Sequence, residues 1–181
     1  LAEYLSPEFD LIVSFLGTKN CNMDLCDLIS KHDSRLNFVE FNPLVIETLL
    51  RQQESLLSNG IKRSVLIVFD DVFATCQRHT ELLTPLFIRG RHYQISIINS
   101  AVCFTTIQKN CRRCLDILFL YSSVCRSDNQ VLSSEYIHNS FSTAQYALQN
   151  LPPYTALVIE TKRNQKLYEL KFQYGSASTQ S

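Results

Sequence analysis

The run Val65-Leu66-Ile67-Val68-Phe69-Asp70-Asp71 constrains this chain more than any other stretch. Its five apolar residues are mostly β-branched, which suits a strand buried on both faces and therefore a parallel sheet with helices on each side. Asp70 and Asp71 then stand at the carboxyl end of that strand, where open α/β sheets bind ligands. One carboxylate there can hold Mg²⁺ through water, and a second can orient or deprotonate an attacking water. A blander reading of the same residues is a polar turn in which Asp70 or Asp71 caps whatever follows.

Elements of both kinds flank the run. Residues 9–16 and 36–41 read as strands. Residues 1–5 read as a helix end, halted before Pro7, and 23–30 as a short helix. Asn42-Pro43 opens a helix with Asn42 as cap. Leu44, Ile46, Leu49, Leu50, Leu56 and Leu57 form its apolar face, and Arg51, Gln52, Gln53 and Glu54 its wet one. Asn59-Gly60 ends it. After Asp71 come a helix at 79–93, with Pro85 in its first turn or kinking it, a strand at 94–99, a loop or short helix at 105–113, and a strand at 115–121. Residues 128–150 are mostly helical, with Val131, Leu132, Tyr136, Ile137, Phe141, Ala144, Tyr146 and Ala147 inward. Pro152-Pro153 breaks this stretch, and strands at 155–161 and 166–172 make a hairpin turning at 162–165. Strands thus alternate with helices up to a closing hairpin. The expected fold is α/β, a doubly wound and mostly parallel sheet with a C-terminal β-hairpin. One domain is expected over residues 1–174, with a disordered tail at 175–181.

Composition narrows the partners. Lys+Arg 17 balance Asp+Glu 17, so any nucleic-acid contact has to come from a local patch. Lys109, Arg112 and Arg113 form the one dense basic cluster. It can touch DNA phosphate or simply be a solvated loop. Phe104, Phe119 and Tyr121 nearby read as core rather than as a stacking platform. No apolar run approaches the roughly 18–20 residues of a membrane span. The 7 cysteines are odd in number and scattered, which argues for a reducing, intracellular setting. Cys111-Arg112-Arg113-Cys114 is a CxxC, but Cys21, Cys26, Cys103 and Cys125 do not complete a standard zinc spacing.

The order of motifs is more specific than any one of them. A strand ends in two acidic residues, the Walker B arrangement, and a helix follows that ends in Arg89-Gly90-Arg91-His92. A strand QISIIN comes next, then Ile107-Gln108-Lys109-Asn110, then the strand LDILFLY. This succession resembles the genome-packaging ATPases of large double-stranded DNA viruses, virophages and Maverick-type transposons, which share a branch of the P-loop ATPases with bacterial DNA translocases. The resemblance runs from about Leu1 to Phe172.

It implies an ATPase using ATP and Mg²⁺. Asp70 would hold the metal and Asp71 would activate water. Arg89 and Arg91 would stabilise phosphate charge, in cis or from a neighbouring subunit, while opposing the helix dipole is their ordinary alternative. Asn99 stands at the sensor position, and His92 reads as a structural hydrogen-bonder. Implied partners are double-stranded DNA, capsid or portal proteins and further copies of the chain in a ring, inside a host cell or associated with a virion.

Three departures qualify this. No Gly-x-x-x-x-Gly-Lys-Ser/Thr occurs, so the loop that cradles phosphates is missing. The family glutamine is replaced at Asn99-Ser100-Ala101, and the arginine of the Ile-Arg-x-Asn stretch is lost at Gln108. The sequence reading is therefore a P-loop NTPase core lacking its P-loop strand, truncated at the N-terminus and partly degenerate. A non-catalytic relic of the fold and an unrelated Mg²⁺-dependent phosphoryl-transfer enzyme are the alternatives.

Overall fold

The computed structural model describes residues 9–17, 35–38, 40–122, 125–137, 141–161 and 166–171. The expected helices at 1–5 and 23–30, the turn at 162–165 and the tail at 175–181 lie outside them, as do Cys21 and Cys26. The chain forms two compact units, Leu1–Cys114 and Leu115–Ser181.

The first unit is built on a four-stranded parallel sheet. Strand β1 (Leu11–Leu16) pairs with β2 (Arg35–Phe38) on one side and with β3 (Val65–Asp70) on the other. Helix α1 (Pro43–Ser58) links β2 to β3. After β3 come a short helical turn α2 (Phe73–Cys76), helix α3 (Thr80–Arg89) and strand β4 (Ile95–Ser100), which pairs parallel with β3. The strand order is β2-β1-β3-β4. In the chain β1 leads to its neighbour β2, whereas β3 leads the opposite way to β4. The direction of travel reverses between β1 and β3, the topological switch point at which such sheets bind ligands.

The core is where the apolar runs predict it. Val13, Phe15, Val65, Ile67 and Phe69 are at most 1% exposed. Phe15 stacks on Phe69 with ring centroids 5.5 Å apart, and Phe41 packs against both. Asn42 caps α1 as expected, its side chain accepting the Leu44 amide at 3.0 Å. Gln53 differs from the expectation of a wet position, being 3% exposed. Its Nε2 donates to the carbonyls of Arg63 and Tyr93, both at 2.8 Å. Ile46, Leu49 and Gln53 recur at helical spacing, so the polar residue occupies the inward stripe. Pro85 lies inside α3, where it removes one helical hydrogen bond.

The loop after β4 contains the short helix α4 (Lys109–Arg112). The second unit holds β5 (Ile117–Leu120), α5 (Arg126–Leu132), a π-helical turn at Ser133–Ile137, α6 (Phe141–Gln149), β6 (Thr155–Glu160) and β7 (Lys166–Lys171). Here β6 is central and antiparallel to both neighbours. The closing hairpin is therefore present, and β5 joins it rather than continuing the parallel series. Two inward assignments need correction, since Tyr146 and Ala147 are exposed and Leu148 is fully buried. A π turn carries extra residues per turn, so a helical face extrapolated through it loses phase. Phe119 and Tyr121 also differ from expectation. They are 49% and 59% exposed, while Phe104 is buried.

Candidate functional site

Both aspartates come to the carboxyl edge of the sheet at the switch point. Parallel register sets Asp70 level with Leu16 on β1 and Ser100 on β4. The Gly17 amide donates to the Asp70 carbonyl at 2.9 Å, and the Asp71 amide donates to the Ser100 carbonyl at 3.1 Å. Asp71 has φ 52, a left-handed backbone that Asp tolerates better than most residues. Asp70 is half-buried and Asp71 exposed. One carboxylate is therefore set into the strand end while the next projects beyond it toward solvent.

Side chains level across a sheet share a face. Ser100 therefore shares the face of Asp70, and Asn99 does not, because it is level with Phe69. The Asn99 amide is shielded from solvent at both Oδ1 and Nδ2 and has no hydrogen-bond partner. A sensor assignment at Asn99 thus meets a side chain on the opposite face from Asp70. Sequence reasoning missed Ser100 and Gly17. The signal for Ser100 was register, which emerges only once β3 and β4 are paired. For Gly17 it was a glycine one residue beyond a strand.

Arg89 and Arg91 are not brought to this edge. Arg89 is the last residue of α3 and Arg91 lies in the 3₁₀ turn that follows, Gly90–Tyr93. The next residue, Gln94, accepts the Val65 amide at 2.9 Å at the start of β3. The length of β3 separates that point from Asp70, about 17 Å at the usual rise per residue. Both arginines are exposed. Within one chain this distance sets both arginines apart from the aspartates, at the end of a helix whose dipole they oppose. His92 is exposed as well.

The basic cluster also divides. Lys109 and Arg113 are exposed, but Arg112 is 8% exposed. Its NH1 donates to the Ile107 carbonyl, and its guanidinium lies 5.6 Å from the Phe104 ring centroid. Arg112 therefore braces its own loop, and two cations of the expected three face solvent. Within the CxxC, burial pushes the Cys111 thiol up to about 11, and Cys114 Sγ bonds the Asn110 carbonyl. Among the described residues no three His, Cys, Asp or Glu side chains cluster as metal ligands.

That chemistry still suits Mg²⁺ at Asp70. This ion commonly takes only one or two protein carboxylates and fills its remaining positions with water and substrate phosphate. Asp70 is partly open at a strand end, as such a ligand has to be. A phosphate grip is a different matter, since no glycine-rich loop with a lysine occurs in these residues.

The fold is α/β, and it is shared with solved structures of low sequence identity. The chain is similar to the genome packaging NTPase B204 from Sulfolobus turreted icosahedral virus 2 in complex with AMPPCP. The TM-score is 0.68 and the identity 12%, covering 96% of this chain and 88% of that one. The same NTPase in complex with ATP-gammaS gives a TM-score of 0.65 and 16% identity over 94% and 86% of the two chains. B204, the DNA-packaging ATPase from Sulfolobus turreted icosahedral virus, gives 0.68 and 14% over 96% and 88%. No protein-family model and no curated protein sequence matches. At these identities the likeness is one of fold.

Proposed function

We propose that this chain is the Mg²⁺- and water-handling part of an ATPase that packages genomic DNA. One observation carries the reading: two adjacent carboxylates end a central parallel strand at the topological switch point of a packaging-NTPase-like fold. Asp70 would hold Mg²⁺, which supplies positive charge against the phosphate oxygens when bound. Asp71 would accept a proton from, or orient, the attacking water at the open end of the strand.

The reading requires a phosphate-gripping loop, which a flanking segment or a neighbouring subunit has to supply. Arg91, with Arg89 beside it, would face the nucleotide of a neighbouring copy in a ring. Lys109 and Arg113 would meet the backbone of double-stranded DNA as it passes toward a capsid or portal. Among the described residues no helix is long and apolar enough to cross a membrane.

The test is ATP hydrolysis by the full-length protein, with and without Mg²⁺, beside Asp71→Asn. Mg²⁺-dependent turnover that Asp71→Asn lowers by about 100-fold or more supports the proposal. Turnover unaffected by that change removes Asp71 from the mechanism. A second reading is a non-catalytic module on the same fold, favoured by the missing phosphate loop and by Asn99 in the place of a glutamine. It predicts DNA or capsid-protein binding with no hydrolysis.

A further inference from the structure

We propose that Gly17 is a positioning residue for Asp71: the missing side chain at the end of β1 is what allows Asp71 its left-handed backbone. This rests on the reading of Asp71 as the water-directing carboxylate. The contact is between backbones. A Cβ at Gly17 would stand 2.8 Å from the Asp71 carbonyl oxygen, 3.2 Å from its carbonyl carbon and 3.3 Å from the Asp70 oxygen. None of these atoms belongs to a flexible side chain that could swing aside, so any other residue at 17 forces the two strand ends to part.

Asp71 is held from the other side as well. Its amide bonds Ser100 at 3.1 Å, while the Gly17 amide bonds Asp70 at 2.9 Å. The peptide that launches the Asp71 side chain is thus fixed between the ends of β1 and β4. With φ 52 it sits where residues bearing a Cβ are rarely found. Returning φ to a negative value rotates the carboxylate away from its present direction. A glycine one residue beyond a strand therefore sets the aim of a carboxylate more than fifty residues later in the chain.

The experiment has an arm that needs no turnover. Amide hydrogen exchange on the wild-type protein should show Gly17 and Asp71 both protected; free exchange at Gly17 overturns the proposal. In Gly17→Ala, the Asp71 backbone NMR signals and its amide-to-Hα coupling should move, and an unmoved Asp71 overturns it. In the turnover arm, Gly17→Ala should lower kcat by about 100-fold, as misplacing a catalytic group does, with KM for ATP nearly unchanged. In an Asp71→Asn background the same substitution should cost nothing further, because both act through one group. An additive cycle overturns the proposal. A wild-type protein that hydrolyses nothing counts against the ATPase reading instead, and the exchange and NMR arms still decide the role of Gly17.

Discussion

The Val65 amide donates to the Gln94 carbonyl at 2.9 Å, which fixes the segment carrying Arg89 and Arg91 beside the start of β3. Asp71 follows the other end of that strand. An arginine finger supplied from a neighbouring subunit is worth about 10³–10⁵ in turnover. If Arg91 acts in this way in the proposed ring, Arg91→Ala should silence turnover on its own. Mixed with Asp71→Asn, it should recover part of the wild-type rate, since some interfaces then pair an intact Arg91 with an intact Asp71. No recovery on mixing would count against the trans assignment.

Asp70 and Asp71 should fail in different ways. Asp71→Asn removes a proton acceptor of similar shape and should lower turnover by about 10²–10⁴. Asp70→Asn should instead raise the Mg²⁺ concentration needed for half-maximal rate. Titrating Mg²⁺ against the rate of each variant checks this. Identical metal dependence in the two variants would dissolve the division of labour.

Gln53 ties α1 to the lower edge of the sheet through two hydrogen bonds to backbone carbonyls. Gln53→Ala should cost about 1–3 kcal/mol in urea denaturation, because acceptors out of water lose their donor. Gln53→Leu should not recover it, since the cavity is then filled but the carbonyls stay unserved.

What the sequence revealed followed periodicity, and what it hid depended on contacts between distant residues. The buried run Val65–Asp70 and the cap at Asn42 are local signals, and both are found as expected. The parallel core and closing hairpin follow from alternation of strand and helix patterns. Gln53 stood on the right helical stripe but was discounted as polar, because its partners at Arg63 and Tyr93 come from other segments. Arg112 resembled a surface cation until its loop closed over it. The antiparallel turn of β5 could not be read from LDILFLY, since an apolar strand carries no mark of its neighbour's direction. The two aspartates were legible, but Gly17 and Ser100 were not, because the first acts through a backbone approach and the second through register.

Arg112 separates stability from DNA contact. Arg112→Met should lower the thermal midpoint, with a loss of about 1–3 kcal/mol from its hydrogen bond and its Phe104 contact. Lys109→Ala and Arg113→Ala should leave that midpoint nearly unchanged. If they meet phosphate, each should weaken double-stranded DNA binding and reduce its salt dependence by about one counterion. Fluorescence anisotropy at several salt concentrations reads both quantities.

Asp10 supplies a pH test at the opposite edge. Its carboxylate accepts the Ser64 amide at 2.7 Å and the Ser64 hydroxyl at 3.1 Å. These bonds, with Arg63 nearby, hold it below its ordinary value of 3.8. A carboxyl group lowered by folding stabilises the fold above its unfolded value and loses that contribution as pH falls through the folded one. The stability difference between wild type and Asp10→Asn should be constant near neutrality and shrink below pH 3.8. A difference independent of pH down to full protonation would show that the Ser64 bonds do not favour the charged form.

Strand β4 has a consequence for handling the protein. Among the described residues it ends the sheet order, and Ile95–Ser100 reads ISIINS. Edge strands are ordinarily kept apart by lysine, proline, a bulge or a covering segment. This hexapeptide has no charge and no proline, and it offers an outer row of backbone donors and acceptors to any extended chain that meets it. Left uncovered, it would template self-association through β-pairing, so the solubility of a preparation reports whether something lies along that edge.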